Sequence, residues 1–133
     1  MSEENVEVVR AAFAAYARGG AEATLAYYDP NIEWITASEA IDNYVYSGHE
    51  VVRKLWSLWT EQFDNFRLDA ERVVDLADDR VLVLGYQRGQ IKGSDDELEQ
   101  PLGVTIEVHE GKITRVRVYM SWEEALKAVG MEE

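Results

Sequence analysis

Cysteine is absent from this sequence, and histidine occurs only twice, as His49 and His109. Without thiols the protein can form no disulfide, no thiolate metal site and no cysteine nucleophile. Two histidines also argue against a histidine-based metal cluster. We therefore expect neither a metal site nor a bound cofactor.

Long apolar runs are absent too, since no stretch approaches the roughly 18 residues that a membrane-spanning helix needs. The chain opens with Glu3, Glu4 and Glu7, whereas a secretory signal has a basic start followed by an apolar run. We therefore expect a cytoplasmic protein.

Basic residues are scarce relative to acidic ones. Lysine and arginine total 13 against 26 aspartates and glutamates, which gives a net charge of -13. Such a surface repels nucleic-acid phosphates and anionic lipid, so we expect neither a nucleic-acid nor a membrane partner. Solubility is the simplest explanation for the charge.

The apolar pattern predicts helices first and strands afterwards. The first helix should end at Gly19-Gly20, and its amphipathic stripe consists of Val6, Val9, Phe13 and Tyr16. A short helix over residues 21–28, a strand over 32–36 and a loop over 37–44 should follow. Later, β-rich segments cover 66–76, 80–90, 98–109 and 113–120. This order predicts an α+β fold whose helices cover one face of a largely antiparallel sheet.

Two segments fit the capping box, in which a serine caps a helix and a glutamate follows three residues later. They are residues 47–50, with Ser47 as N-cap, and residues 121–124, with Ser121 as N-cap. The first should open a helix with an apolar face of Val52, Leu55, Trp59 and Phe63. The second should open the closing helix.

The last hairpin has a predictable register. Residues 109–111 suit a three-residue turn with a left-handed glycine, which places Val108 opposite Lys112. A two-residue turn would instead put Arg115 and Arg117 on the apolar face, and burying two unpaired guanidinium groups is costly. The favoured register gives a shared apolar face of Leu102, Val104, Ile106, Val116, Val118 and Met120.

Several segments occur together in one order: NVEVVR at 5–10 with GG at 19–20, DPNIEW at 29–34, YSGHE at 46–50, and GKI at 111–113 leading to Gly130. With these, the chain resembles a SnoaL-like protein of the nuclear-transport-factor-2-like, or ketosteroid-isomerase-like, superfamily over nearly its whole length. We therefore expect a single SnoaL-like domain over residues 1–133.

The resemblance implies a cone-shaped fold: a curved antiparallel sheet wrapped around N-terminal helices, with a short C-terminal helix and a pocket at the open end. It also implies a homodimer. Relatives include ketosteroid isomerases, polyketide cyclases, epoxide hydrolases and dehydratases, so the fold alone does not assign a function.

The resemblance also indicates where isomerase chemistry would lie. Such chemistry needs a carboxylate or histidine in an apolar pocket, because burial raises a carboxylate's pKa toward neutral pH. In an ungapped comparison the isomerase base falls at Trp34, the helix-1 tyrosine near Ala12 or Phe13, and the second acid near Val104. The isomerase set is thus expected to be absent, and the catalytic residues stay unknown.

Other acids have simpler explanations. Glu33 alternates with an inward aromatic residue and should point outward. Glu39 and Asp42 are interpreted as solvated loop acids near the pocket mouth, and Glu107 as the cross-strand partner of Arg115.

The remaining ionisable residues are expected at the surface. His49 lies at a helix start, where the helix dipole opposes protonation, and should be exposed. His109 falls in a hairpin loop. Arg88 is a candidate for holding an anion, although a surface role is favoured. An Asp-Arg-Asp triad of the epoxide-hydrolase kind is not evident.

Aromatic residues on converging elements predict an apolar, aromatic pocket. The candidate ligand-binding residues are Tyr16, Trp34, Tyr46, Trp59, Tyr86 and Val104. The leading hypothesis is a protein that binds a small hydrophobic molecule. The alternatives are a cofactor-free isomerase, cyclase or hydrolase acting on a hydrophobic metabolite, and a dimeric module whose sheet face binds a protein.

Overall fold

The computed structural model describes residues 2–36 and 44–131. A short 3₁₀ helix, Leu25–Tyr27, follows the first α-helix. The other elements, in chain order, are α1 (Ser2–Thr24), β1 (Tyr28–Thr36), β2 (Tyr44–Ser47), α2 (His49–Thr60), β3 (Phe63–Ala77), β4 (Arg80–Ile91), β5 (Glu97–His109), β6 (Lys112–Tyr119) and α3 (Trp122–Ala128). Within these residues no helix is both long and apolar enough to cross a membrane.

The strands form one curved sheet in the order β2-β1-β6-β5-β4-β3. Neighbouring strands are antiparallel except for β1 and β6, which are parallel. Helices α1 and α2 pack on one face, called here the helix-side face, and α3 packs on the opposite, outer face. The predicted α+β architecture is confirmed.

Strand β4 shows why both faces of the sheet are buried at its centre. Val81 and Val83 pack with α1 residues in the main core, whereas Leu82 and Leu84 pack under α3. Successive side chains of a strand point to opposite faces, so a continuous apolar run serves two cores.

Helix α3 is fastened to the outer face at specific points. The Trp122 Nε1–H donates to the Gly85 carbonyl at 2.9 Å. Gly103 lets the helix approach, since a Cβ there would overlap the Ala125 methyl group. The Ser121 hydroxyl accepts from the amide of Glu124, which confirms the predicted N-cap.

Element α1 contains two helical segments, because Gly20 has a non-helical conformation (φ 72°, ψ −163°). The predicted end of the first helix at Gly19-Gly20 is therefore confirmed, and the predicted short second helix follows it and continues into the 3₁₀ turn Leu25–Tyr27. The first strand, in contrast, begins earlier than predicted. Strand β1 then starts at Tyr28 and includes Pro30. This proline lies where the pairing with β6 shifts register, between Tyr28 and Glu33, so its missing N–H removes no regular ladder bond.

The predicted N-cap at Ser47 is wrong by one residue. Ser47 ends β2, paired with Glu33, and the first α2 hydrogen bond runs from the Val52 amide to the Gly48 carbonyl at 3.2 Å. Gly48 has φ 91°, a conformation that glycine adopts without strain. Of the expected loop, residues 37–43 lie outside the described part of the chain.

The turn of the last hairpin also differs from the prediction. His109 pairs with Lys112 around a two-residue turn, and Val108 pairs with Ile113 instead of Lys112. The two turn residues, 110 and 111, have φ values of 50° and 78°, the positive values that a type I′ turn requires. The predicted three-residue turn is therefore wrong.

A bulge in β6 nevertheless restores the predicted faces. Glu107 pairs with Arg115 while its neighbour Val108 pairs with Ile113, so Thr114 is an extra residue. The extra residue returns the arginines to the outer face. The shared apolar face is confirmed, with Val104 opposite Val118 and Ile106 opposite Val116.

Candidate functional site

A cavity of about 550 Å³ lies between α1, α2 and the helix-side face of the sheet. Its volume falls within the range typical of small-molecule sites, roughly 300–1,000 Å³. Alternation along β5 and β6 turns one apolar row of each strand toward this space. These rows supply Leu102, Val104, Ile106, Val116, Val118 and Met120.

Aromatic rings form the part of the cavity wall nearest the helices. The Tyr16 and Trp56 ring centroids are 5.0 Å apart, and Trp34 meets Trp56 edge-on at 5.8 Å. Tyr28 in turn lies 6.3 Å from Trp34. Such tilted and edge-to-face contacts are the favoured aromatic geometries, so the rings support one another in a continuous wall.

The Tyr28 hydroxyl is engaged within the protein. The Tyr28 side chain is only 7% exposed, and burial raises the pKa of its phenol. The neighbouring Thr24 hydroxyl and Trp56 indole offset part of that rise. The Trp56 Nε1 atom is also buried beside this phenol. No acceptor among the described residues has a distance and angle to it that make a full hydrogen bond.

Tyr16 differs because its hydroxyl is available to a ligand. The side chain is half-buried on the cavity wall, and its O–H makes no hydrogen bond to the residues that the structure describes. Burial raises the pKa of Tyr16 above its ordinary value of 10.0. The phenol therefore stays protonated at neutral pH and can donate to an acceptor in the cavity.

The other polar groups on the wall are neutral. Gln62 and Gln87 both contribute to it, and both already interact with other residues of the protein. No Asp, Glu, His, Lys or Arg lines this cavity among residues 2–36 and 44–131. The described wall thus offers hydrogen-bonding groups and apolar surface but no group that is charged at neutral pH.

The positions that the resemblance associates with isomerase chemistry all lie on this wall. Ala12, Phe13, Trp34 and Val104 line the cavity. None of them has an acidic or basic side chain, so the proton-transfer groups expected at these positions are replaced by apolar surface.

Glu33 points to the outer face, as predicted. Its carboxylate lies 2.7 Å from Arg115 Nη2, and Glu107 lies 3.3 Å from Nη1 of the same guanidinium. The predicted pairing of Glu107 with Arg115 is confirmed. The hydrogen bond that Arg115 donates to Glu33 and the charge of Glu107 raise the pKa of Arg115. This carboxylate–arginine–carboxylate cluster faces away from the cavity and holds three strands together.

Arg88 is committed to a similar cluster on the outer face. Its guanidinium bonds to Asp69 at 2.7 Å and to Glu99 at 3.0 Å, and it lies over the Tyr86 ring. The favoured surface role is therefore confirmed, and the alternative of an anion-holding residue is not supported. Tyr86 packs against Trp122 at 5.4 Å.

Tyr86 therefore corrects the predicted set of lining residues. Along β4, Val83 belongs to the helix-side core and Gln87 lines the cavity, so Tyr86 falls on the outer face between them. Its prediction as a lining residue was wrong.

The histidines occupy two different settings. His49 is half-buried, and its Nε2–H donates to the Tyr28 carbonyl at 3.1 Å. This bond ties the start of α2 to β1, so the expectation of a fully exposed His49 was wrong. His109 is exposed, as predicted. No group of three or more acidic or histidine side chains in the described residues is placed to hold a metal ion.

Three of the predicted ligand-binding residues, Tyr16, Trp34 and Val104, lie on the cavity wall. Tyr46 pairs with Trp34 on the neighbouring strand but is not part of that wall. The side chain of Trp59 lies outside what the structure describes, as do Glu39 and Asp42.

Most of the wall residues were not among the predicted ligand-binding residues, and alternation or helical spacing indicates some of them. Trp56 follows the buried Val52 by four residues on α2, and Gln87 follows Val83 by four on β4. The wall residues that the predicted set lacked are Ala12, Phe13, Thr24, Tyr28, Leu55, Trp56, Gln62, Leu68, Gln87, Leu102, Ile106, Ile113, Val116, Val118 and Met120.

Comparison with known proteins agrees with the fold. The SnoaL-like domain family matches residues 9–116. The chain therefore belongs to the SnoaL-like family, within the nuclear-transport-factor-2-like superfamily. A search of curated proteins found no match.

Solved structures share the fold over nearly the whole chain. An NTF2-like protein from Burkholderia xenovorans LB400 is 26% identical, with a TM-score of 0.69 over 97% of this chain and 98% of that one. A candidate SnoaL-like polyketide cyclase from Jannaschia sp. CCS1 is 18% identical, with a TM-score of 0.76 over 99% and 95%. A hypothetical protein from Catenulispora acidiphila DSM 44928, with a ketosteroid-isomerase-like fold and in complex with trimethylamine, is 18% identical, with a TM-score of 0.73 over 94% and 93%.

Proposed function

We propose that this protein binds a neutral, largely apolar small molecule that carries at least one hydrogen-bond acceptor. The observation that carries this proposal is the cavity of about 550 Å³, whose described wall is apolar and aromatic apart from a few uncharged polar groups. The complex of the Catenulispora relative with trimethylamine, an amine that is cationic at neutral pH, supports small organic molecules as a class of ligand for this fold but not a neutral charge.

The charges of the protein favour a neutral ligand. A net charge of -13 repels anions, and the described wall has no cation to hold one. A cation entering the cavity would lose its hydration without gaining a carboxylate from that wall.

The Tyr16 hydroxyl favours a ligand with an acceptor oxygen. It is a protonated donor with no bonding partner among the described residues. A carbonyl or ether oxygen placed against it would form a hydrogen bond inside an otherwise apolar site, where such a bond fixes the orientation of the ligand.

A cofactor-free isomerase, cyclase or hydrolase is the second candidate. It is favoured by the fold shared with the candidate polyketide cyclase, and by the ability of Tyr16 to polarise a ligand carbonyl. Deuterium exchange at the carbon next to a bound ketone, followed by NMR in D₂O, tests it. Exchange faster than the buffer rate would support catalysis, and an unchanged rate supports binding alone.

The binding proposal is tested by isothermal titration calorimetry with probes that share one phenylalkyl skeleton. They are valerophenone, pentylbenzene, 5-phenylpentanoate and 5-phenylpentylamine. We expect valerophenone to bind tightest, about 2–12-fold more tightly than pentylbenzene, because one net hydrogen bond contributes about 0.5–1.5 kcal/mol. Tightest binding of the anion or the amine would contradict the proposal.

Matched variants locate the binding. Val118 is a half-buried wall residue, so Val118→Phe should weaken both neutral probes by occupying part of the cavity. Val45 is 61% exposed on β2, so Val45→Phe should change neither affinity. Equal effects of the two substitutions would show that the probes bind elsewhere.

A further inference from the structure

A second, smaller pocket adjoins the cavity. It has a volume of about 140 Å³, and two of its lining residues, Arg10 and Ala70, are exposed. Its lining consists of Val9, Arg10, Phe13, Ala70, Val73 and Val83. Apart from the arginine these side chains are apolar, so the pocket suits the same kind of chemical group as the cavity.

The two spaces follow one another in the same layer between α1, β3 and β4. On each of these elements, a residue that lines the small pocket lies four to seven positions from one that lines the cavity. The pairs are Val9 and Tyr16 on α1, Val73 and Leu68 on β3, and Val83 and Gln87 on β4. Among the described residues, Phe13 alone lines both spaces.

We infer that Phe13 is a partition that limits the length of the ligand, so that it is a specificity-determining residue of the proposed binding site. The inference rests on the proposed function. The half-buried ring packs against the main core from α1 and contributes to the walls of both spaces. The end of a longer ligand would meet this ring on its way from the cavity to the small pocket. Removing the ring would join about 140 Å³ of apolar space to the cavity.

The test uses n-alkyl phenyl ketones of increasing chain length, titrated calorimetrically. Each buried methylene should tighten binding about fourfold, until the tail of the ketone meets Phe13. In the wild type, longer homologues should then gain nothing. In Phe13→Ala the fourfold gain per methylene should continue into these longer homologues.

Three further variants make the test specific. Phe13→Leu repeats the chain-length test with a smaller loss of packing. It replaces Phe13→Ala in that test if circular dichroism shows that Phe13→Ala is unfolded. Val118→Ala enlarges the cavity at β6, a strand that contributes no described residue to the small pocket, and should leave the length limit where it is. Phe13→Ala combined with Val73→Phe should restore the wild-type limit by refilling the small pocket.

The possible results separate the two proposals. If the wild type binds no member of the series, the proposed function fails. If the wild type binds the series but neither Phe13→Ala nor Phe13→Leu extends the length limit, the partition is overturned. An equal extension in Val118→Ala would also overturn it, because total volume would then set the limit.

Discussion

The same substitution, tyrosine to phenylalanine, should have opposite consequences at Tyr16 and Tyr28. The Tyr16 hydroxyl makes no hydrogen bond to the described residues, so its removal should change the free energy of unfolding by less than about 0.5 kcal/mol. The Tyr28 hydroxyl is buried beside Thr24, so its removal leaves a neighbouring polar group short of a partner. That loss should cost about 1–2 kcal/mol.

Ligand affinity should reverse the order. Tyr16→Phe should weaken valerophenone about 2–12-fold, the equivalent of one net hydrogen bond, and leave pentylbenzene unchanged. Tyr28→Phe should change both affinities little, because the Tyr28 hydroxyl is engaged by its neighbours.

Urea unfolding followed by circular dichroism measures the stabilities, and calorimetry measures the affinities. Equal destabilisation by Tyr16→Phe and Tyr28→Phe would refute the claim that only the Tyr28 hydroxyl is engaged within the protein. An unchanged preference for the ketone over the hydrocarbon in Tyr16→Phe would refute the claim that Tyr16 donates to the ligand, since the donor would then lie elsewhere.

The remaining predictions concern the fold, its pH dependence and its assembly. Ser121→Ala should lower the free energy of unfolding in urea by about 1 kcal/mol, because the hydroxyl that accepts from the Glu124 amide is lost; no change would contradict the cap. Gly103→Ala should cost about 1–3 kcal/mol in the same assay, because the added methyl overlaps Ala125; wild-type stability would show that α3 does not dock there. Burial raises the pKa of Tyr28 above 10.0, so its neutral form stabilises the fold below that pH and the contribution is lost as the pH rises further. The stability difference between wild type and Tyr28→Phe should therefore narrow from about pH 9 to about pH 11, and a widening difference would give the pKa shift the opposite sign. The expected homodimer should sediment as a species heavier than 15.2 kDa at micromolar concentration, and a single 15.2 kDa species would exclude it.

The last hairpin shows which features of this fold are predictable from sequence. The faces of its strands follow from the cost of burying Arg115 and Arg117, a large term that any turn must satisfy. The turn type was wrong because Glu110 adopts φ 50°, a conformation that sequence rarely indicates for a residue other than glycine. The bulge at Thr114 makes the two-residue turn compatible with outward-facing arginines. Its position depends on strand pairing across the whole sheet.

The two capping motifs also separate what can be predicted from sequence from what cannot. Ser121 enters its helix from extended backbone and accepts the expected hydrogen bond. Ser47 has an equally good motif, but it is paired with Glu33 in the sheet, and Gly48 makes the turn into α2. Strand pairing with a distant segment therefore decided a position that the local motif assigned to a cap.

The apolar, aromatic character of the cavity was predictable from sequence, but only some of its wall residues were. Tyr86 was misplaced because β4 is apolar on both faces, and no alternation in its sequence marks which face α3 covers. The wall draws on two helices and on β1 and β3–β6, so its membership is set by how distant segments assemble.

The most direct test of the account is methyl NMR of the labelled protein during a titration with valerophenone. We expect chemical-shift changes at cavity methyl groups such as those of Val104, Val116 and Val118. Leu82 and Leu84, which lie under α3 on the outer face, should not respond. Shifts confined to the outer-face leucines, or no saturable shift at any of these methyl groups, would contradict the claim that this cavity binds a neutral apolar ligand.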